Sequence, residues 1–210
     1  MFSFKDKNIQ FDFIYLFIFV FTFNMLILKI INHIYKKPFI DEDDFSKLTI
    51  GIFVTYVFLI PLIEELCFRG ILSLSKKIFF VSLVAILIVL LCFFKFNFIS
   101  LSIISLIIIL GILTLVNNDL IFRIKRFVDE NIIIVIIITA ILFSIAHLKN
   151  YESINVEAYL KIIPKFTGGL YLGYIAYKYG ISRSYILHGI NNLIPFIIIL
   201  IVKYFRFLII

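Results

Sequence analysis

Ile132-Ile133-Ile134-Val135-Ile136-Ile137-Ile138-Thr139-Ala140-Ile141-Leu142-Phe143-Ser144-Ile145-Ala146-His147 is an almost unbroken apolar run that ends on an imidazole. It lacks the polar–apolar alternation by which a strand of a membrane barrel faces lipid on one side and a lumen on the other. An open strand would leave unpaired N–H and C=O groups in hydrocarbon. The run therefore reads as a helix in a bilayer.

The rest of the chain repeats this pattern. Of 210 residues, 63% are hydrophobic and the mean hydropathy is +1.14, more apolar surface than one soluble core hides. A helix needs about twenty apolar residues to cross the hydrocarbon. Charged punctuation then divides the sequence into spans near 11–34, 48–72, 78–94, 98–116, 131–149, 157–179 and 183–202. The expected fold is an all-α polytopic transmembrane helix bundle of about seven spans. Residues 1–47 hold an N-terminal span and an acidic loop, residues 48–202 the core with two extra helices at about 78–116, and residues 203–210 a short C-terminal tail. The first span follows Lys5-Asp6-Lys7 and is too long, and too poor in small residues at its end, for a cleaved signal peptide.

The net charge of +7 is dispersed over Lys36-Lys37, Lys76-Lys77 and Arg123 to Arg126. Such clusters read as loop anchors at anionic headgroups, so membrane lipid is the expected partner and nucleic acid is not. Nine basic loop residues fall on the N-terminal side (Lys5, Lys7, Lys76, Lys77, Arg123, Lys125, Arg126, Lys178, Arg183) and seven on the other (Lys36, Lys37, Lys47, Lys95, Lys149, Lys203, Arg206). That asymmetry places the N-terminus in the cytoplasm. Cys67 and Cys92 lie in or beside apolar runs and read as small fillers. Asp41-Glu42-Asp43-Asp44 reads as a solvated cap ahead of the second span.

Against this background, Pro61-Leu62-Ile63-Glu64-Glu65-Leu66-Cys67-Phe68-Arg69-Gly70 sets two carboxylates and a guanidinium inside an apolar helix. Each bare charge at mid-bilayer costs about 2.5 kcal/mol or more. Glu65 and Arg69, spaced i,i+4, can neutralise one another. Glu64 points about 100° away and needs a different partner. His33 ends the first span beside Lys36-Lys37 and reads as interfacial. His147 follows Phe143 by one turn, and His188 precedes Asn192 by one turn, so both imidazoles are available inside spans.

One acid, two imidazoles and an amide suit amide hydrolysis. Glu64 can serve as base and later acid, His147 can hold the same water, and His188 with Asn192 can donate to an oxyanion. Alternatively, Glu64, His147 and His188 form a zinc site with water in the fourth position. Polar residues of this kind also serve as interhelical glue or as proton relays, but an inverted repeat of the sort carriers show is not visible.

Together these residues resemble the CPBP intramembrane proteases, a family that includes type II CAAX prenyl endopeptidases and abortive-infection or bacteriocin-immunity proteins. Its pattern is E-E-x-x-x-R, F-x-x-x-H and H-x-x-x-N on separate helices, matched by Glu64-Glu65 with Arg69, Phe143 with His147, and His188 with Asn192. Phe166, Gly168-Gly169, Gly173 and Gly180 resemble the family's penultimate helix. The likeness covers about residues 48–200. Two apolar segments intervene between the first and second motifs, an even number that keeps those helices antiparallel.

The resemblance implies a multi-pass endopeptidase of a bacterial plasma membrane, metallo- or glutamate-dependent, with Zn2+ or no metal. Its substrate would be a membrane-embedded peptide or protein. Glu64, His147, His188 and Asn192 would be catalytic, and Glu65, Arg69 and Phe143 supporting. Prenyl processing by eukaryotic members does not carry over. The alternative function is a non-catalytic immunity or peptide-binding module using the same cavity.

Overall fold

The computed structural model describes residues 11–37, 49–73, 75–93 and 98–209, and all regular structure among them is helical. The elements are α1 (Phe11–Ile34), α2 (Ile50–Leu72), α3 (Lys76–Phe93), α4 (Phe98–Val116), α5 (Asn118–Glu130), α6 (Ile132–Ala146, extended by a 3₁₀ turn His147–Asn150), α7 (Val156–Lys161), α8 (Ile163–Tyr179) and α9 (Ile181–Ile209). The all-α membrane bundle read from the sequence is what the chain forms. Asp41 to Asp44, Lys5, Lys7, Lys47 and Lys95 lie outside the described residues, as do the side chains of Cys92, Lys203 and Arg206.

Among the described residues the length and composition of the helices reach fewer than the seven spans expected. Among them, four helices are long and apolar enough to cross a membrane: Phe11–Ile34, Ile50–Leu72, Ile132–Asn150 and Ile181–Val202. A fifth is reached only if α4 and α5, bent by 110° at their junction, count as one. α8 falls short because it is a 17-residue helix carrying Lys165, Lys178, three glycines and four tyrosines. Packed between α6, α1 and α9, it does not need a continuous apolar shell. The expected span 157–179 is divided at Ile162, where α7 stops and Pro164 enters the first turn of α8, a place that tolerates a missing N–H.

α5 is a second correction, since Arg123 to Arg126 read as loop. Asn117 caps this helix, its Oδ1 accepting from Asp119 N at 2.9 Å and Leu120 N at 3.2 Å. Ile121 and Val128 are buried, and Val128 packs with Leu72, Val135 and Ala176 at one end of the bundle.

Small residues bring α6 and α8 together, as interhelical contacts in lipid require. A Cβ on Gly169 would lie 3.1 Å from Ala140, and one on Gly173 would lie 3.1 Å from Ile136. α1 is fastened along the other side of α8 by polar contacts. At its start, Asp12 Oδ2 accepts from Lys178 Nζ (2.7 Å), Tyr179 OH (2.6 Å) and Tyr174 OH (2.9 Å). Midway, Asn24 Nδ2 donates to Pro164 O at 3.2 Å and its Oδ1 accepts from Thr167. Beyond its end, Lys37 Nζ lies 2.8 Å from Glu157 Oε1 on α7.

Candidate active site

The site begins with a break in α2. Residues Thr55–Leu59 form a π turn in which Ile60 N–H donates to Thr55 O, five residues back. Pro61 comes next and has no N–H, so the carbonyl of Tyr56 loses its helical donor. That carbonyl is taken by α9 instead: Asn192 Nδ2 donates to Tyr56 O at 3.0 Å. Gly189 lets α9 approach, since a Cβ there would lie 3.0 Å from Val57 O. The proline thus creates the acceptor that docks the helix carrying His188.

One helical turn after this break, Glu64 and Glu65 diverge. Glu65 is sealed, its side chain 1% exposed, whereas that of Glu64 is 21% exposed. Glu65 Oε1 lies 3.4 Å from Arg69 Nη1 and 2.9 Å from His188 Nδ1, and its Oε2 lies 2.6 Å from Ser184 Oγ. Arg69, fully buried, also places its guanidinium 4.1 Å over the Phe143 ring. The expected Glu65–Arg69 pair is present, but it belongs to a larger buried network.

Glu64 meets both imidazoles. His147 Nε2 lies 3.6 Å from its Oε1, and His188 Nε2 lies 3.4 Å from its Oε2. The opposite nitrogens fix the rings. His147 Nδ1 is 2.9 Å from Phe143 O, a carbonyl that can only accept, so Nδ1 carries the proton. His188 Nδ1 donates to the Glu65 carboxylate in the same way. In their neutral forms both rings therefore present the Nε2 lone pair to Glu64. Phe143 packs edge-on to His147 and His188, with centroids 4.5 and 5.8 Å away, and against Phe68.

Six of the seven site residues read from the sequence, Glu64, Glu65, Arg69, Phe143, His147 and His188, gather here; Asn192 lies one turn beyond His188, on Tyr56 O, and His33 stays exposed at the end of α1. Three further residues belong with them. Ser184, one turn before His188 on the same face of α9, is fully buried and shares its hydroxyl proton between Glu65 and Leu172 O. Gly189 supplies the close approach just described. Lys165 on α8 is within electrostatic reach of Glu64 and His147. It lies one turn before Gly169, the contact with α6 at Ala140 and Phe143. Ser184 was findable from its i,i+4 relation to His188. The position of Lys165 depends on how α8 packs, and no spacing in the sequence announces it.

The donor set also bears on metal binding. Two Nε2 atoms with anchored Nδ1 protons and one carboxylate are the atom types zinc takes. Among the described residues, however, no three such groups stand close enough together to hold an ion as they are.

Comparison with known proteins gives one match: residues 46–194, well over half of the chain, fit the family model described as "Type II CAAX prenyl endopeptidase Rce1-like". No curated protein and no solved structure matches the chain.

Proposed function

Since the chain belongs to the type II CAAX prenyl endopeptidase Rce1-like family of membrane proteases, we propose that it hydrolyses a peptide bond in a membrane-embedded peptide or protein, with Glu64 as the group that activates water. The observation that carries this reading is the partly open Glu64 carboxylate facing two Nε2 atoms, 3.4 and 3.6 Å away.

A water donating to Glu64 and to His147 Nε2 is held by two acceptors. As its oxygen attacks the carbonyl carbon, Glu64 takes the proton, and it returns that proton to the leaving nitrogen when the C–N bond breaks. The products are a carboxylic acid, which keeps the water's second proton, and an amine, with Glu64 restored. Asn192 uses one amide N–H on Tyr56 O and has a second for the oxyanion. His188, oriented by its Nδ1 contact with Glu65, aims Nε2 at the site and donates to the oxyanion from that nitrogen in its imidazolium form. Glu65, Arg69, Ser184 and Phe143 hold the ring in place.

Bound at Glu64, His147 and His188, Zn2+ would supply Lewis-acid polarisation of water. The residues' roles above do not depend on it.

The test is the isosteric change Glu64→Gln in purified, membrane-reconstituted protein. Unchanged thermal unfolding with cleavage of a lipid-embedded reporter peptide reduced by about 10² to 10⁴-fold is expected for loss of a general base. Full cleavage by that variant would refute the role of Glu64.

A further inference from the structure

α5 lies outside everything the active site uses. It leaves α4 at 110°, so if α4 crosses the bilayer, α5 runs close to the membrane plane. One face, Ile121, Ile124 and Val128, packs on the end of the bundle. Half a turn away, Asp119, Phe122, Arg123 and Arg126 line an open depression of about 220 Å³.

Two properties of that outer face need a partner. Phe122 and Phe127 are 66% and 61% exposed, and at about 100° per residue they flank the arginines on either side. The guanidiniums of Arg123 and Arg126 are exposed and take part in no ion pair with a described residue. Lys76 Nζ, 3.3 Å from Leu115 O, adds a cation at the corner between α4 and α5. Aromatic rings beside cations on an in-plane helix match the boundary between headgroups and acyl chains. The guanidinium fork suits phosphate. Asp119 and Glu130, on the same helix, oppose an anion, but the arginines stand between them.

We propose that α5 is an interfacial helix whose Arg123–Arg126 depression binds the phosphate of an anionic phospholipid headgroup, with Phe122 and Phe127 seated at the acyl boundary. The argument is charge complementarity: the occupant must carry negative charge beside hydrocarbon, and an anionic lipid has both.

The chain contains no tryptophan, so Phe127→Trp provides its single indole, excited at wavelengths where tyrosine does not absorb, at a position where an interfacial aromatic is suited. The full-length variant is placed in phosphatidylcholine nanodiscs containing a minority of brominated lipid. Brominated phosphatidylglycerol should quench its fluorescence more strongly than brominated phosphatidylcholine at equal mole fraction. Adding Arg123→Gln and Arg126→Gln should weaken that preference on the order of five-fold for each guanidinium removed, and Asp119→Asn should strengthen it. Equal quenching by the two lipids overturns the proposal, as does a preference that survives both Gln substitutions. Loss of the preference on adding inorganic phosphate would assign the depression to a soluble anion and overturn the lipid occupant. Should the Gln variants misfold, Arg123→Lys with Arg126→Lys keeps the charges, and complete loss of preference in that folded variant would also count against charge as its source.

Discussion

Glu64 and Glu65 are adjacent in sequence and opposite in circumstance. The sealed acid has three neighbours that fix it, while the more open one faces two imidazole nitrogens, so of the two carboxylates Glu64 is the accessible one. Lys165 is the residue whose contribution follows least from motif and most from place. Burial of Lys165 works against its charge and Glu64 works for it; in its charged form its ammonium would stabilise negative charge that develops near Glu64 and His147. Lys165→Met is expected to lower kcat/KM by about ten-fold, roughly 1.4 kcal/mol of transition-state stabilisation, while Lys165→Arg keeps most of the activity. Steady-state kinetics on the reconstituted variants check this, and an unchanged kcat/KM in Lys165→Met would remove Lys165 from the site.

Between helices, the seam of α6 and α8 sets where His147 stands relative to α2. Gly169 faces Ala140 at a Cβ distance of 3.1 Å from its backbone Cα, so a larger side chain must push the helices apart. Gly169→Leu should destabilise the protein by about 1–3 kcal/mol, as overpacking does, and should reduce activity by shifting His147. Thermal unfolding in detergent reads the first effect; a variant of unchanged stability would show the seam to be loose. At the far end of α1, Lys161 and Lys37 hold the Glu157 carboxyl below its usual range, each by donating to it. A lowered folded-state pKa means that this stabilisation is present above the unfolded value of about 4.3 and is lost as pH falls through the lower folded value. Amide protection in α7, taken relative to the intrinsic exchange rate at each pH, should therefore fall below about pH 4, and Glu157→Gln should show the reduced protection already at neutral pH. Protection that stays constant across that pH range in the native chain would mean that the Lys37–Glu157 pair fastens nothing.

At the scale of the molecule, one bundle gathers three helices that are distant in sequence, α2, α6 and α9, around a single carboxylate. Whether that centre works with a metal is decided by chelation. With Glu64 acting on water directly, a strong chelator and metal-free dialysis should leave cleavage within about two-fold, a small change on the barrier scale; loss of activity restored by Zn2+ would make Glu64, His147 and His188 its ligands. The membrane fold and the motif residues were legible in the sequence because each is a local fact. An apolar run with no alternation must be a helix in lipid, and a charge inside such a run is costly enough to need a partner. What the sequence could not set was which partner. Glu65 reads as the mate of Arg69 at i,i+4, yet its closest contacts, Ser184 and His188, are more than a hundred residues away. The bend that turns Arg123 to Arg126 into a surface helix, the shortness of α8, the approach of Lys165 and the capture of Tyr56 O by Asn192 were likewise decided by tertiary packing. Side-chain spacing fixes which residues share a helix face, but helix rotation and crossing are set by the whole contact surface, and small residues such as Gly169, Gly173 and Gly189 govern that surface by what they leave out.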